Sequence, residues 1–367
     1  MLFRLEKRGE VSRLMTVFSP AIAVVLTVIT GAIIFALLGQ PPLQALYTYF
    51  LEPLKWLWTQ NPDDLWQLEQ LCVKAAPLAM IGCGLSVCYL ANVWNIGAEG
   101  QLTAGAILGG AIPVFFPQWQ SPTALILMLV LGMVGGMMLA AIPAFLKNRF
   151  NASEILTSLM LVYVAQLLLD WLVRGPWRDP DGHNFPQTVP FADWQAMPVI
   201  AGSAIHLGVL LAVIACLALA LMMSRALKGF ELKVLGAAPR AGRFAGFSKT
   251  RATWFCFMLS GALAGLAGIC EVMSTVGQLQ PSISPGYGFT AIIVAFLGRL
   301  NPLGALVAAL ALALTYLGGE GAQVALGISD KIARVFQGIL LFYILACDTL
   351  IHYRIQFPFL SSGKAAA

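Results

Sequence analysis

Long apolar runs separated by short polar stretches fill most of the chain. A transmembrane helix needs about 20 consecutive apolar residues, and runs close to that length recur from the N-terminal to the C-terminal region. The pattern predicts helices at 17–38, 71–91, 102–116, 123–146, 155–173, 205–224, 253–271, 288–299, 303–319 and 333–352. We therefore expect an all-α integral membrane protein with about ten transmembrane helices.

A polar stretch interrupts this pattern between the second and third predicted helices. It runs from Asn95 to Gln101 and contains Glu99 between two glycines. Polar groups at membrane depth are costly, and irregular backbone persists there only where protein covers it or where it lines a watery cavity. Short segments interrupted by glycine point to the binding site of a transporter. The stretch predicts either part of a solute pathway or a tight surface loop in which Glu99 meets water.

The charges of the loops predict the orientation, because Lys and Arg concentrate in cytoplasmic loops. The loop 225–252 holds seven Lys or Arg residues against Glu231 alone, whereas the loops 39–70 and 174–204 are acidic. With a basic N-terminal tail, these assignments place both termini in the cytoplasm. The predicted organisation is a tail, a single transmembrane domain and a second tail, at 1–16, 17–352 and 353–367.

The two halves of the chain are predicted to be inverted repeats. Five predicted helices precede the loop 174–204 and five follow it, and an odd number per half gives the halves opposite topologies. Under that mapping the break at 95–101 corresponds to 280–288, which is also rich in Gly, Pro and Ser. Two Gly-x-x-x-Gly spacings, at 132–136 and 261–265, predict close helix contacts, either within one chain or between subunits.

Composition agrees with a membrane protein and argues against several other classes. Hydrophobic residues make up 59% of the 367 residues and charged residues 11%, with a mean hydropathy of +0.81, whereas soluble domains carry roughly 25% charged residues. The net charge of +5 lies in cytoplasmic-type loops, so it predicts no nucleic-acid partner. The scattered histidines predict no metal site. No catalytic arrangement of Ser and His or of paired carboxylates lies within the apolar segments.

Small residues and arginines alternate in the basic loop between Leu235 and Phe247. A short helix there would present a smooth face rimmed by arginines, which could dock into a groove of a cytoplasmic partner. The alternative is a solvated loop that is basic because it lies inside. The nearby sequence Gly246-Phe247-Ser248-Lys249-Thr250 lacks the glycines of a phosphate-binding loop, so the chain does not bind ATP through such a loop.

Four segments in fixed order carry a resemblance to a known family: Asn92–Gln101, Phe150–Leu161, Val234–Phe247 and Gly288–Pro302. Together they resemble the permease subunits of bacterial ABC importers for nucleosides and simple sugars, within the branched-chain amino acid and ribose permease superfamily. The resemblance covers about residues 70 to 305. The sequence departs from the nucleoside branch at Ser153 and Val162, where that branch often has Asn; if those positions touch ligand, the substrate differs from an ordinary nucleoside.

The resemblance implies a ten-helix permease like that of the cobalamin importer class, multi-pass in the bacterial inner (plasma) membrane and surrounded by its lipid. It implies a second, homologous permease chain, partner ATPase subunits that bind ATP and Mg on the cytoplasmic side, and an extracytoplasmic binding protein or lipoprotein at the loops 39–70 and 174–204. The permease chain itself carries no cofactor and is not an enzyme. The ATPase-coupling residues are Gly236, Ala237, Arg240, Ala241, Gly242 and Gly246.

The resemblance implies a nucleoside or simple-sugar-like solute, and the neutral polar groups of the pathway suit hydroxylated, uncharged ligands. The predicted pathway residues are Asn95, Glu99, Gln101, Ser282, Ser284 and Thr290. The alternative function is a proton-coupled secondary transporter in which Glu99 relays protons.

Overall fold

The computed structural model describes residues 4–7, 13–200, 202–327, 329 and 331–356, and nearly all of its regular structure is helical. The α-helices are α1 (Arg13–Leu37), α2 (Pro42–Leu46), α3 (Trp56–Thr59), α4 (Pro62–Leu90), α5 (Ala98–Phe115), α6 (Pro122–Phe150), α7 (Glu154–Arg174), α8 (Leu207–Arg225), α9 (Leu227–Ala237), α10 (Pro239–Phe244), α11 (Lys249–Glu271), α12 (Tyr287–Leu297), α13 (Pro302–Leu326) and α14 (Lys331–His352). Single π-helical turns occur at Tyr47–Leu51 and Val272–Val276, and a 3-10 turn at Glu52–Leu54.

Each of the ten predicted apolar ranges contains a helix, namely α1, α4 to α8 and α11 to α14. In the described part of the chain, six of these are long and apolar enough to cross a membrane: α4, α6, α7, α8, α11 continued by its π turn, and α13. The chain is therefore a multi-helix membrane protein, and the count of ten crossings stays a prediction.

Two regions differ from the expected pattern. The loop predicted at 39–70 is mostly helical, and α4 begins at Pro62 rather than at residue 71. Hydropathy did not predict the first turns of α4 because they are polar. The termini were predicted as tails without strands, but Arg4–Lys7 (β1) and Tyr353–Gln356 (β2) form an antiparallel pair in the register Arg4 to Gln356. A four-residue strand shows too few alternations to be read from sequence.

Contacts divide the chain into two compact units, each described by itself. The terminal unit comprises Met1–Lys55 and Leu314–Ala367. In it α1 packs along α14, and the buried rings of Phe35, Tyr49 and Phe336 form its core, with centroids of Phe336 lying 5.4 Å from Phe35 and 4.8 Å from Tyr49. A hydrogen-bonded pair of hydroxyls, Thr30 and Tyr343 at 2.9 Å, also joins α1 to α14.

The central unit comprises Trp56–Ala313, and α4 runs through its middle, with 89% of its most apolar window buried. Helices α5, α6 and α11 pack on one another through glycines. A Cβ atom on Gly261 would lie 2.7 Å from the Gly136 carbonyl oxygen, and one on Gly265 would overlap the Gly132 carbonyl. The two predicted Gly-x-x-x-Gly segments thus face each other within one chain.

The central unit has two distinct ends. At one end the segment 175–206 is hydrogen-bonded to α4, where the Ala204 N–H donates to Glu69 Oε2 at 2.8 Å. It is also bonded to the π turn that continues α11, where the Met197 N–H donates to the Met273 carbonyl at 2.9 Å. At the other end lie the α6–α7 turn and the basic segment with α9 and α10. Because α8 has 19 residues and rises 1.5 Å per residue, roughly 28 Å separates the two ends.

Candidate solute site

Helices α5 and α12 begin beside each other, at the two breaks that the repeat argument paired. The backbone N–H of Gly288 donates a hydrogen bond to Glu99 Oε2 at 2.6 Å. A Cβ atom on Gly288 would overlap the Glu99 backbone and lie 2.5 Å from its Cα, so only glycine allows this approach. A carboxylate is stabilised at a helix N-terminus. Glu99 is 3% exposed, so the interpretation of 95–101 as a loop in which Glu99 meets water is wrong.

The side chain of Asn95 is the centre of a buried polar network. Its Nδ2 donates to Gln101 Oε1 at 2.9 Å and to Ser260 Oγ at 2.8 Å. Its Oδ1 accepts from Gln101 Nε2 and from the Gly97 N–H, both at 3.0 Å. An amide side chain has two donor hydrogens and two acceptor lone pairs, so Asn95 uses its whole capacity inside the protein. The network, in which none of the three side chains is more than 1% exposed, ties the start of α5 to α11.

Two further helices hold the same break. The Tyr89 hydroxyl of α4 donates to the Asn95 carbonyl at 3.0 Å, and the Ile96 N–H donates to Ser158 Oγ of α7 at 3.2 Å. Sequence reasoning missed Ser260, Ser158 and Tyr89 as site residues. The signal for Ser260 was a hydroxyl inside an apolar helix, where every polar group needs a partner.

The predicted residues around α12 have three different environments. Ser284 Oγ accepts from the N–H groups of Gly286 and Tyr287, at 3.1 and 3.0 Å, and so satisfies donors that the first turn leaves free. Thr290 is buried within α12, whereas Ser282 is exposed and its carbonyl accepts from Gln280 Nε2 at 3.2 Å. Of these three residues, Ser282 is the exposed one, and its neighbour Gln280 is half-buried.

The segment 175–206 is attached to the break that precedes α12. Thr188 N–H donates to the Leu279 carbonyl, and Leu279 N–H donates to Thr188 Oγ1, both at 3.0 Å. Phe191 N–H donates to the Gly277 carbonyl at 2.8 Å. The acidic loop that was predicted to meet a binding protein is thus bonded directly to the candidate solute site.

The same segment ends at a buried histidine. His206 precedes α8, and its Nδ1 accepts the N–H of Gly208 at 3.1 Å. Burial lowers the pKa of His206 from 6.5 to about 4, because removal from water disfavours the charged imidazolium.

The basic segment 225–252 is folded rather than a solvated loop, and its two short helices create a surface. Gly236 of α9 lies against the end of α4, where a Cβ atom would lie 3.2 Å from the Ala91 Cα. Gly242 is buried under Leu235. We call the exposed outer side of α10 the docking face; Phe244 is its most prominent side chain, at 94% exposure. Phe244 was not among the predicted coupling residues; the predicted ones that are exposed are Ala237, Arg240, Ala241 and Gly246.

The two departures from the nucleoside branch take no part in the hydrogen bonds of Asn95. Ser153 caps α7 by accepting the Leu156 N–H at 3.5 Å. Val162 is 1% exposed and packs on α5, where a Cβ atom on Gly100 would lie 2.8 Å from its Cα. Both residues have structural roles in this chain.

Comparison with known proteins identifies the family. The model of the branched-chain amino acid transport system / permease component family matches residues 67–345. The glucose ABC transporter permease protein TsgB13 of Haloferax volcanii is 32% identical over 99% of this chain and 96% of its own length. The nucleoside permease NupB of Lactococcus lactis is 27% identical, covering 89% and 90%. The guanosine permease NupP of Bacillus subtilis is 25% identical, covering 91% and 94%.

These matches define a class of protein, the permease subunits of ABC transporters. The chain belongs to the branched-chain amino acid transport system / permease component family and is a permease of an ABC importer. Family members are transport components rather than enzymes, and the resemblance identified from the sequence is confirmed. The proton-coupled secondary transporter is not supported.

Proposed function

We propose that this chain, with a second homologous permease, forms the translocation pathway for a nucleoside or simple-sugar-like solute. The observation that carries the proposal is the junction of α5 and α12, where a buried polar network and an exposed neutral polar segment meet. The relatives named for glucose, nucleoside and guanosine transport support the same solute class.

The site has two layers with different tasks. In the buried layer, Asn95 is hydrogen-bonded to Gln101 and Ser260, and Glu99 accepts the Gly288 N–H. These hydrogen bonds fix the shape of the break. In the outer layer, the half-buried Gln280 and the exposed Ser282 offer amide and hydroxyl groups without charge. Hydroxylated, uncharged ligands match such groups, and weak neutral contacts allow a pathway to release what it admits.

The docking face couples transport to ATP hydrolysis by partner ATPase subunits, which bind ATP and Mg. Phe244, flanked by Arg240 and Arg243, supports this because an exposed aromatic anchor beside arginines is the composition of interface hot spots. Alternating access then follows from ATPase closure that moves α9 and α10.

The remaining features of the proposal concern the membrane. Ten helices cross the inner membrane as two inverted halves, with both termini and the segment 225–252 in the cytoplasm, where its seven Lys and Arg residues satisfy the positive-inside rule. An extracytoplasmic binding protein or lipoprotein delivers solute to the acidic loops 39–70 and 174–204.

The test is ATP-dependent uptake by the full complex in proteoliposomes. We expect uptake of labelled nucleosides or sugars, and Gln280→Ala with Ser282→Ala should raise the half-saturating solute concentration severalfold. Gln120→Ala is the matched control, because Gln120 lies in the α5–α6 connection of the central unit and not at the junction of α5 and α12. An unchanged half-saturating concentration in all variants would contradict the outer-layer assignment.

A further inference from the structure

A cavity of about 650 Å³ opens at the basic end of the central unit, between the end of α6 and the start of α11. This is within the size range of small-ligand sites. Its walls include Lys147, Asn148 and Arg149 from α6, Arg243 from α10, and Lys249 with Thr250 from α11. No carboxylate is found among the described residues that line it.

Of the four cations that line the cavity, only one is paired with a carboxylate of the described residues. Lys147 is bonded to Glu154 at 2.7 Å. In the part of the chain that the structure describes, no ion pair joins Arg149, Arg243 or Lys249 to a carboxylate. Three positive side chains thus converge on one cavity without a counter-charge, an arrangement that favours an anionic ligand.

Hydrogen-bond donors also converge there. Among the described residues, Asn148 Nδ2 is a buried nitrogen without a hydrogen-bond partner, and a buried donor without a partner is costly. Lys249 and Thr250 open the 23-residue helix α11, whose first N–H groups have no intrahelical acceptor. Ser248 Oγ accepts the Arg251 N–H at 3.4 Å, so the N–H groups of Lys249 and Thr250 are the donors left for a ligand. An oxyanion in the cavity would supply acceptors for both.

The rim beside this cavity is apolar and exposed. On the adjoining turns of α6, Ile142, Phe145 and Phe150 are exposed, and the two phenylalanine rings pack edge to face at 6.0 Å. Only 28% of the most apolar window of α6 is buried within the chain. A ligand with an anionic head and an apolar tail would occupy the cavity and this rim together.

We propose that the cavity binds the phosphate-bearing headgroup of an anionic phospholipid, with an acyl chain along Ile142 and Phe145. Basic cavities between helices at the membrane interface suit such headgroups. Because Arg243 belongs to α10, an occupied cavity links the bound lipid to the docking face.

The test measures lipid binding to the full transporter complex by native mass spectrometry, with dioleoyl phosphatidylglycerol compared against dioleoyl phosphatidylcholine. We expect preferential retention of phosphatidylglycerol. Arg149→Gln should weaken that retention about tenfold, the effect of one charge-assisted hydrogen bond. Arg225→Gln is the matched control, since Arg225 is an exposed arginine in the last turn of α8 and should leave retention unchanged.

Asn148→Leu separates a built site from general basicity, because it removes the unpartnered donor without altering charge. We expect a severalfold loss of phosphatidylglycerol retention. Equal effects of Arg149→Gln and Arg225→Gln would overturn the proposal in favour of unspecific attraction. Displacement of the lipid by millimolar inorganic phosphate would assign the cavity to free phosphate, and an effect of Arg149→Gln on ATPase association alone would assign it to an acidic protein surface.

Discussion

Replacement of Asn95 by alanine tests whether the buried network holds the break in one shape. The change removes an amide whose two donors and two acceptor lone pairs are all used. It leaves the Gln101 amide and the Gly97 N–H without these partners, in a place with no solvent exposure at Asn95 itself.

The size of the effect follows from the groups left behind. A buried polar group without a partner costs about 1–3 kcal/mol, and three such groups remain: Gln101 Oε1, Gln101 Nε2 and the Gly97 N–H. Water entering the vacated volume would bring each to the lower end, so we expect a loss of about 3 kcal/mol. At roughly 2–4 °C per kcal/mol, the melting temperature should fall by roughly 6–12 °C.

The assay is a double-mutant cycle, in which thermal unfolding of the purified complex gives the stability of each variant. Gln101→Ala should cost a similar amount, and the double variant should cost clearly less than the sum, because each single variant strands the other's side chain. Gln323→Ala, at an exposed helical glutamine, is the control and should change stability by less than about 0.5 kcal/mol. Additive costs of Asn95→Ala and Gln101→Ala would refute the network.

Three further predictions follow from the contacts described above. Burial lowers the pKa of His206 from 6.5 to about 4, so between these pH values the unfolded chain binds more protons than the folded chain. The free energy of unfolding should therefore be constant above pH 6.5 and fall by up to about 3 kcal/mol by pH 4. The variant His206→Asn keeps an acceptor for the Gly208 N–H and should show no such loss. Ala241→Trp on the docking face should uncouple ATP hydrolysis from uptake while the protein stays in the membrane, and full uptake would contradict the assignment. Glu99→Gln keeps an acceptor for the Gly288 N–H but loses the charge, so uptake should persist at a reduced level with its pH dependence unchanged. Complete loss of uptake with normal folding and normal ATPase coupling would favour a proton relay.

The long helices were predictable from sequence because burial in lipid demands length and apolarity together. Each predicted range contains a helix, and the glycine spacing at 132–136 and 261–265 identified a close helix contact. The polar start of α4 and the strands β1 and β2 were missed, because neither shows a long apolar period. The helices α9 and α10 were only partly expected, since short helices depend on tertiary contacts such as that of Gly236 with the end of α4.

The breaks were visible in the sequence, but their partners were not. Asn95, Glu99 and Gln101 stand out as polar residues in an apolar region, and the repeat argument paired 95–101 with 280–288. Neither observation shows that Gly288 bonds Glu99, because that contact spans 189 residues and depends on how the helices pack. Ser282 and Ser284 look alike in sequence, and only the structure shows that Ser284 Oγ accepts N–H groups at the start of α12 while Ser282 is exposed.

A chain of direct contacts joins α9 to the break. Gly236 touches the end of α4 at Leu90 and Ala91, and the adjoining Tyr89 donates to the Asn95 carbonyl. Packed elements transmit a displacement when they have two discrete arrangements. The network of Asn95 is fully bonded in the arrangement seen here, and a half-bonded buried network is costly. Losing one of these hydrogen bonds leaves buried groups without partners, so the fully bonded arrangement is favoured over partly bonded ones.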